Sequence, residues 1–72
     1  MIRKEVVSSF IKSIGHNGDT LEVEFKSGKV YEYFPVISMI YDDFMKADSK
    51  SKFFRARIVD SYTEREVSQR KL

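Results

Sequence analysis

Polar and apolar residues alternate without a break from Thr20 to Lys26, with Leu21, Val23 and Phe25 on one side and Glu22 and Glu24 on the other. A period of two is the pattern of a strand with one buried face. A second alternating run, Lys29-Val30-Tyr31-Glu32-Tyr33-Phe34, follows across Ser27-Gly28. The length of the connecting loop decides which of its residues join the apolar face. A two-residue loop would send Tyr31 and Tyr33 outward, bury Glu32 and demand a positive φ of Ser27. A three-residue loop, Lys26-Ser27-Gly28, asks a left-handed backbone of Gly28 alone, and pairs Phe25 with Lys29, Val23 with Tyr31 and Leu21 with Tyr33. Keeping an unpaired carboxylate out of the core is worth several kcal/mol, more than any difference in turn preference. The tyrosines are therefore expected on the covered face and Glu32 in water. Each phenol oxygen should then sit near the rim or bond to backbone or a basic side chain.

Upstream, about residues 8–16 read as a first strand that turns through Asn17-Gly18, a strong hairpin signal. Two registers are open. A plain two-residue turn pairs Ile14 with Leu21 and Phe10 with Phe25 but sets Lys12 against Val23, whereas burying Ile11 and Ile14 together requires a bulge between them. Beyond Phe34 the period lengthens. Pro35 has no N–H for a ladder and ends the strand; Ser38 is placed to cap a helix, with Asp42 and Asp43 in its first turn. Ile37, Ile40, Tyr41, Phe44 and Ala47 share one side of that helix, about residues 37–47. Asp48-Ser49 interrupts it, Ser49 or Ser51 caps a second helix of about residues 50–60, and Phe54, Ile58 and Tyr62 recur every fourth residue.

The reading is an α+β fold: a three-stranded antiparallel meander (about 8–16, 20–26 and 29–34) with two short helices packed on one face. Its core is expected to be Leu21, Val23, Phe25, Tyr31, Tyr33, Ile40, Phe44, Phe54 and Ile58. Residues 63–72 have little to bury and are expected to fray.

Composition leaves this picture in place and narrows the chemistry. A chain of 72 residues is one domain, expected to span 1–72, and buries only about 60% of the surface its unfolded form exposes. Six Phe and four Tyr supply the core, since there is no Cys and a lone His16 cannot build a zinc site of about four ligands. No cofactor and no metal are expected. The charges at the start are followed by no signal-like apolar run, and nothing approaches the roughly 20 apolar residues of a membrane span. A soluble, cytoplasmic protein without a membrane partner is expected.

Catalytic residues are not found either. His16 stands against the Asn-Gly turn as an exposed bystander, remote in sequence from any nucleophile. Asp42 and Asp43 are neighbours on a helix, pointing apart by about 100°. Three scattered Gly do not make a phosphate loop.

Charge distribution is more telling than net charge. Residues 1–45 hold five Lys/Arg and seven Asp/Glu, and residues 46–72 hold eight and four. An asymmetry of this kind marks either a nucleic-acid face or a solvated helix. Lys46, Ser49, Lys50, Ser51, Lys52, Phe53, Arg55 and Arg57 gather around the start of the second helix, where hydroxyls and free N–H groups would add anion affinity. An exposed Phe53 would stack on bases; alternatively it packs on the first helix and the basic residues serve solubility.

In order and spacing the chain resembles the KTSC domain, a module named for the C-terminus of some lysyl-tRNA synthetases and also found as a free-standing small protein of bacteria and their viruses. The resemblance is carried by Val7-Ser8-Ser9 with Ile11 and Ile14-Gly15, Leu21-Glu22-Val23-Glu24-Phe25, Ser27-Gly28, and the family's central Tyr-x-Tyr-Phe at Tyr31, Tyr33 and Phe34. It continues through Tyr41, Phe44, Ser49-Lys50-x-Lys52-Phe53-Phe54, Ile58 and Tyr62. The chain departs from the pattern at His16, where members often carry Tyr, at Pro35, which comes early, and at Ser51, where Gly is frequent. The resemblance implies RNA binding as the usual suggestion for the family. The expectation is a small non-catalytic binding domain for RNA, either tRNA or a single strand. The alternatives are a protein-interaction or self-assembling module, and capture of a small phosphorylated ligand such as a nucleotide.

Overall fold

The computed structural model describes residues 3–67 and contains one antiparallel sheet in the order β1-β2-β3-β4-β5. The strands are β1 (Arg3–Glu5), β2 (Ile11–Asn17), β3 (Thr20–Phe25), β4 (Val30–Phe34) and β5 (Thr63–Val67). Between β4 and β5 run α1 (Ser38–Lys46), α2 (Lys50–Phe53) and a π-helical turn, Phe54–Ile58. The class matches the α+β expectation, but three strands was an undercount: β1 and β5 flank the predicted meander on both edges. Thr63–Val67, expected to fray, pairs along the whole of β4 from Phe34↔Thr63 to Val30↔Val67. Residues 68–72 of the expected frayed tail lie outside the described residues.

The β3–β4 register is the one the Glu32 argument selects, with Leu21↔Tyr33 and Val23↔Tyr31. The Phe25 amide donates to the Lys29 carbonyl at 2.8 Å and the Gly28 amide to the Phe25 carbonyl at 2.9 Å, and Gly28 takes φ 101°. Between β2 and β3 the bulge wins. The register shifts between Ile11 and Ser13, which leaves Lys12 exposed and puts both Ile11 and Ile14 at 0% exposure. The hairpin turns one residue later than Asn17-Gly18. Asn17 pairs with Thr20, and Gly18 at φ 65° takes the first central position, as in a II′ turn.

In α1 the sequence reading needs correction at the start. Ile37, not Ser38, holds the cap position, no side chain caps it, and Asp42 and Asp43 fall beyond the first turn. The cause is Val36, whose amide donates to the Asp19 carbonyl at 2.7 Å and whose side chain is fully buried. Val36 fills the space that periodicity assigns to Ile37, so Ile37 is left 57% exposed. The second helix is shorter than 50–60 and changes form: after one α turn it widens, the Val59 amide reaching back to the Phe54 carbonyl at 3.0 Å.

Both helices cover the same sheet face. Ile11, Ile14, Leu21, Val23, Tyr33, Val36, Phe44, Phe54 and Ile58 form the core, with Phe25, Tyr31 and Ile40 half-buried against it. Phe54 is central, its ring edge-on to Phe25 at 5.5 Å and Tyr33 at 5.6 Å. Burial, then the Glu64 carboxylate paired across β5, then Tyr31, push the Tyr33 hydroxyl well above its ordinary range, so it keeps its proton. No described helix is long and apolar enough to cross a membrane.

Candidate nucleic-acid interface

The basic segment begins at the bend between α1 and α2, where several of its members serve the backbone. The Ser49 hydroxyl accepts the Lys52 amide at 3.2 Å and the Ser49 carbonyl accepts the Phe53 amide at 3.1 Å. The amides that a phosphate would use there are thus partly taken. Lys50 Nζ donates to the Ala47 carbonyl at 2.7 Å, satisfying the end of α1. Phe53 stacks on Phe44 with centroids 5.1 Å apart and planes 12° from parallel. It packs on the first helix, and does not stand free as a platform.

Lys46, Lys52, Arg55 and Arg57 are exposed along the segment, with Asp48 and Ala56 exposed between them. The two arginines, one residue apart in the π turn, go to different rings. Arg55 Cζ lies 4.9 Å over Phe10 and Arg57 Cζ 5.3 Å over Phe53. Such a contact holds a guanidinium in place while its N–H edge remains open. Among the described residues no carboxylate forms a salt bridge with any of the segment's lysines or arginines.

Ser51 joins the segment to the start of β2. Its Oγ is 2.8 Å from Ser8 Oγ and 3.1 Å from Ser9 Oγ, and Ser8 Oγ in turn accepts the amides of Phe10 at 3.3 Å and Ile11 at 3.2 Å. Ser8, Ser9 and Phe10 were not candidates on composition or charge. The one signal that touches them is the family-like Val7-Ser8-Ser9 run, which carries no chemistry by itself.

Charges on the uncovered sheet face are arranged in the opposite way. Arg3 Nη1 bonds Glu22 at 2.9 Å, its Nη2 lies 3.7 Å from Glu24, Ser13 donates to Glu24 at 2.8 Å, and Arg65 pairs with Glu32. A cavity of about 270 Å³ lined by Arg3, Glu5, Lys12, Ser13 and Glu24 lies on this face. Glu32 is off the core, as expected, but sheltered by its arginine: its side chain is 17% exposed.

His16 is a strand residue and not an exposed turn bystander. Its Nε2–H donates to the Val36 carbonyl at 2.6 Å, and its ring stacks on Tyr41 at 5.0 Å. It fastens the start of α1 to the sheet, and it has no part in the basic segment.

The KTSC domain family model matches residues 7–62. The crystal structure of a KTSC domain protein from Yersinia pestis is similar to this chain at 36% identity and a TM-score of 0.86, covering 93% of this chain and 97% of that one. No curated protein matches.

Proposed function

The chain belongs to the KTSC domain family, and from that premise we propose that it is a non-catalytic domain that binds RNA along residues 46–57. The observation that carries the reading is the combination of exposed Lys46, Lys52, Arg55 and Arg57 with the lack of any carboxylate partner among the described residues. Positive charge that the fold leaves unanswered attracts a polyanion, and two guanidiniums already laid on rings lose little freedom when they meet one. The family's occurrence on a tRNA-handling enzyme makes RNA the polyanion to test, and that link is analogy. Self-assembly through a sheet edge has less support, because β1 is a three-residue Arg-Lys-Glu strand and β5 carries Glu64, Arg65 and Glu66, the charges that discourage strand addition.

Anisotropy of a labelled single-stranded RNA, followed as salt is raised, tests the reading. Four phosphate contacts predict a slope near −3 in log affinity against log salt, from about −0.7 per contact on a single strand. A salt-independent affinity, or no binding to single strand or tRNA at low salt, overturns it. Binding of a mononucleotide with equal affinity would favour the small-ligand alternative instead.

A further inference from the structure

We propose that Ser9, Ser51 and Arg55 form a subsite for one phosphodiester of single-stranded RNA, with the adjoining base lying on the outer face of the Arg55 guanidinium. The inference rests on the RNA reading above and makes it specific to unpaired strands.

Ser8 Oγ accepts two backbone amides, from Phe10 and Ile11, which occupies both of its lone pairs. Its own proton therefore goes to Ser51 Oγ, 2.8 Å away. The Ser51–Ser9 contact at 3.1 Å uses one more hydroxyl proton. Three hydroxyls make two bonds among themselves, so one O–H remains, on Ser9 or Ser51, with Ser9 exposed. That donor suits an acceptor oxygen from a ligand.

Arg55 is tied to the same stretch of chain through Phe10. Phe10 follows Ser9 in the chain and carries the guanidinium on its ring, while Arg55 itself comes one helical turn after Ser51. The ring beneath is fixed, since Phe10 packs against Phe25 with centroids 6.1 Å apart and against Phe54 at 6.0 Å. The guanidinium lies over the Phe10 ring, and Arg55 is an exposed residue, which leaves its side away from the ring for a ligand. Its N–H edge and the free serine hydroxyl can grip one phosphate together. The outer face of an arginine plane accepts a splayed base, and any base can occupy it because every base has a π-face. A duplex keeps its bases stacked inside and cannot use that face.

The test titrates the full chain with a short single-stranded oligouridylate and with a duplex of the same length, by anisotropy and by amide shifts. The amides of Ser9, Phe10 and Ser51 shift with the single strand. Arg55→Lys, which keeps the charge but removes the plane, weakens the single strand about tenfold with an unchanged salt slope. Ser9→Ala, which leaves the Ser8–Ser51 bond in place, weakens it about threefold. If the RNA binds with the expected salt slope but both variants match the unmodified protein within about twofold, the subsite is wrong and the broader RNA reading stands. Equal affinity for duplex and single strand also overturns the subsite alone. If neither RNA binds at low salt, both readings fall.

Discussion

Arg3 and Arg65 stand on the outer strands of the open sheet face, each bonded to a glutamate of an inner strand, whereas Arg55 and Arg57 lie on the rings of Phe10 and Phe53. The residue type is the same and the surroundings divide its work. On the sheet, Glu22 and Glu32 are paired directly across β3 and β4, an arrangement of like charges that destabilises unless something neutralises it. Arginines from β1 and β5 do so from either side, and in doing so fasten strands that bury almost nothing of their own. On the helical segment, aromatic rings hold the arginines in place without consuming their charge. Net charge alone cannot tell the two regions apart; the partner of each cation can.

The largest expected effect comes from inverting the unanswered charge. Lys52→Glu combined with Arg57→Glu should lower affinity for single-stranded RNA about 100-fold, since it removes two phosphate contacts and adds two repulsions. Unfolding in urea should stay within about 0.5 kcal/mol of the unmodified protein, because both side chains are exposed and surface substitutions usually cost no more.

Removing an answered arginine should do the reverse. Arg3→Ala strands Glu22, whose side chain is 13% exposed, and should cost about 1–2 kcal/mol in urea unfolding. Arg65→Ala should cost less, about 0.5 kcal/mol, because the Arg65 side chain is 68% exposed and solvent screens its pair. RNA affinity should change by less than about twofold in both. A loss of RNA affinity in either variant as large as that of the double reversal would erase the distinction between the two regions.

The part of this layout that the sequence makes legible is the covered face. Gly28 and Glu32 admit one economical register, and Ile40 with Phe44, then Phe54 with Ile58, recur every fourth residue, so the tyrosines fall on the covered face and these residues pack where they were expected, although the second helix is shorter than its pattern suggests. The outer strands are illegible for a physical reason: strands are recognised by apolar alternation, and Arg-Lys-Glu or Thr-Glu-Arg-Glu-Val offers none. Their stability comes from ladder hydrogen bonds and cross-strand ion pairs, which depend on partners distant in sequence. Val36 displaces Ile37 from the core through a bond to Asp19, again a contact that local periodicity does not contain. The basic residues of the site were visible as charges. Their freedom from carboxylates was not, nor was the approach of Ser51 to Ser8 across 43 residues of chain, nor the ring of Phe10 under Arg55.

The account's central claim is that the arginines of the open sheet face, Arg3 and Arg65, are answered by glutamates, whereas Arg55 and Arg57 of the helical segment are held on rings with no carboxylate partner among the described residues. Amide chemical shifts of the full chain, recorded as single-stranded RNA is added at low salt, test it most directly. Perturbations should concentrate at Lys46, Lys52, Arg55 and Arg57, and at Ser9 and Phe10 beside them, leaving Arg3, Glu22, Glu32 and Arg65 unmoved. Perturbations centred on the sheet face, or none anywhere, would contradict it.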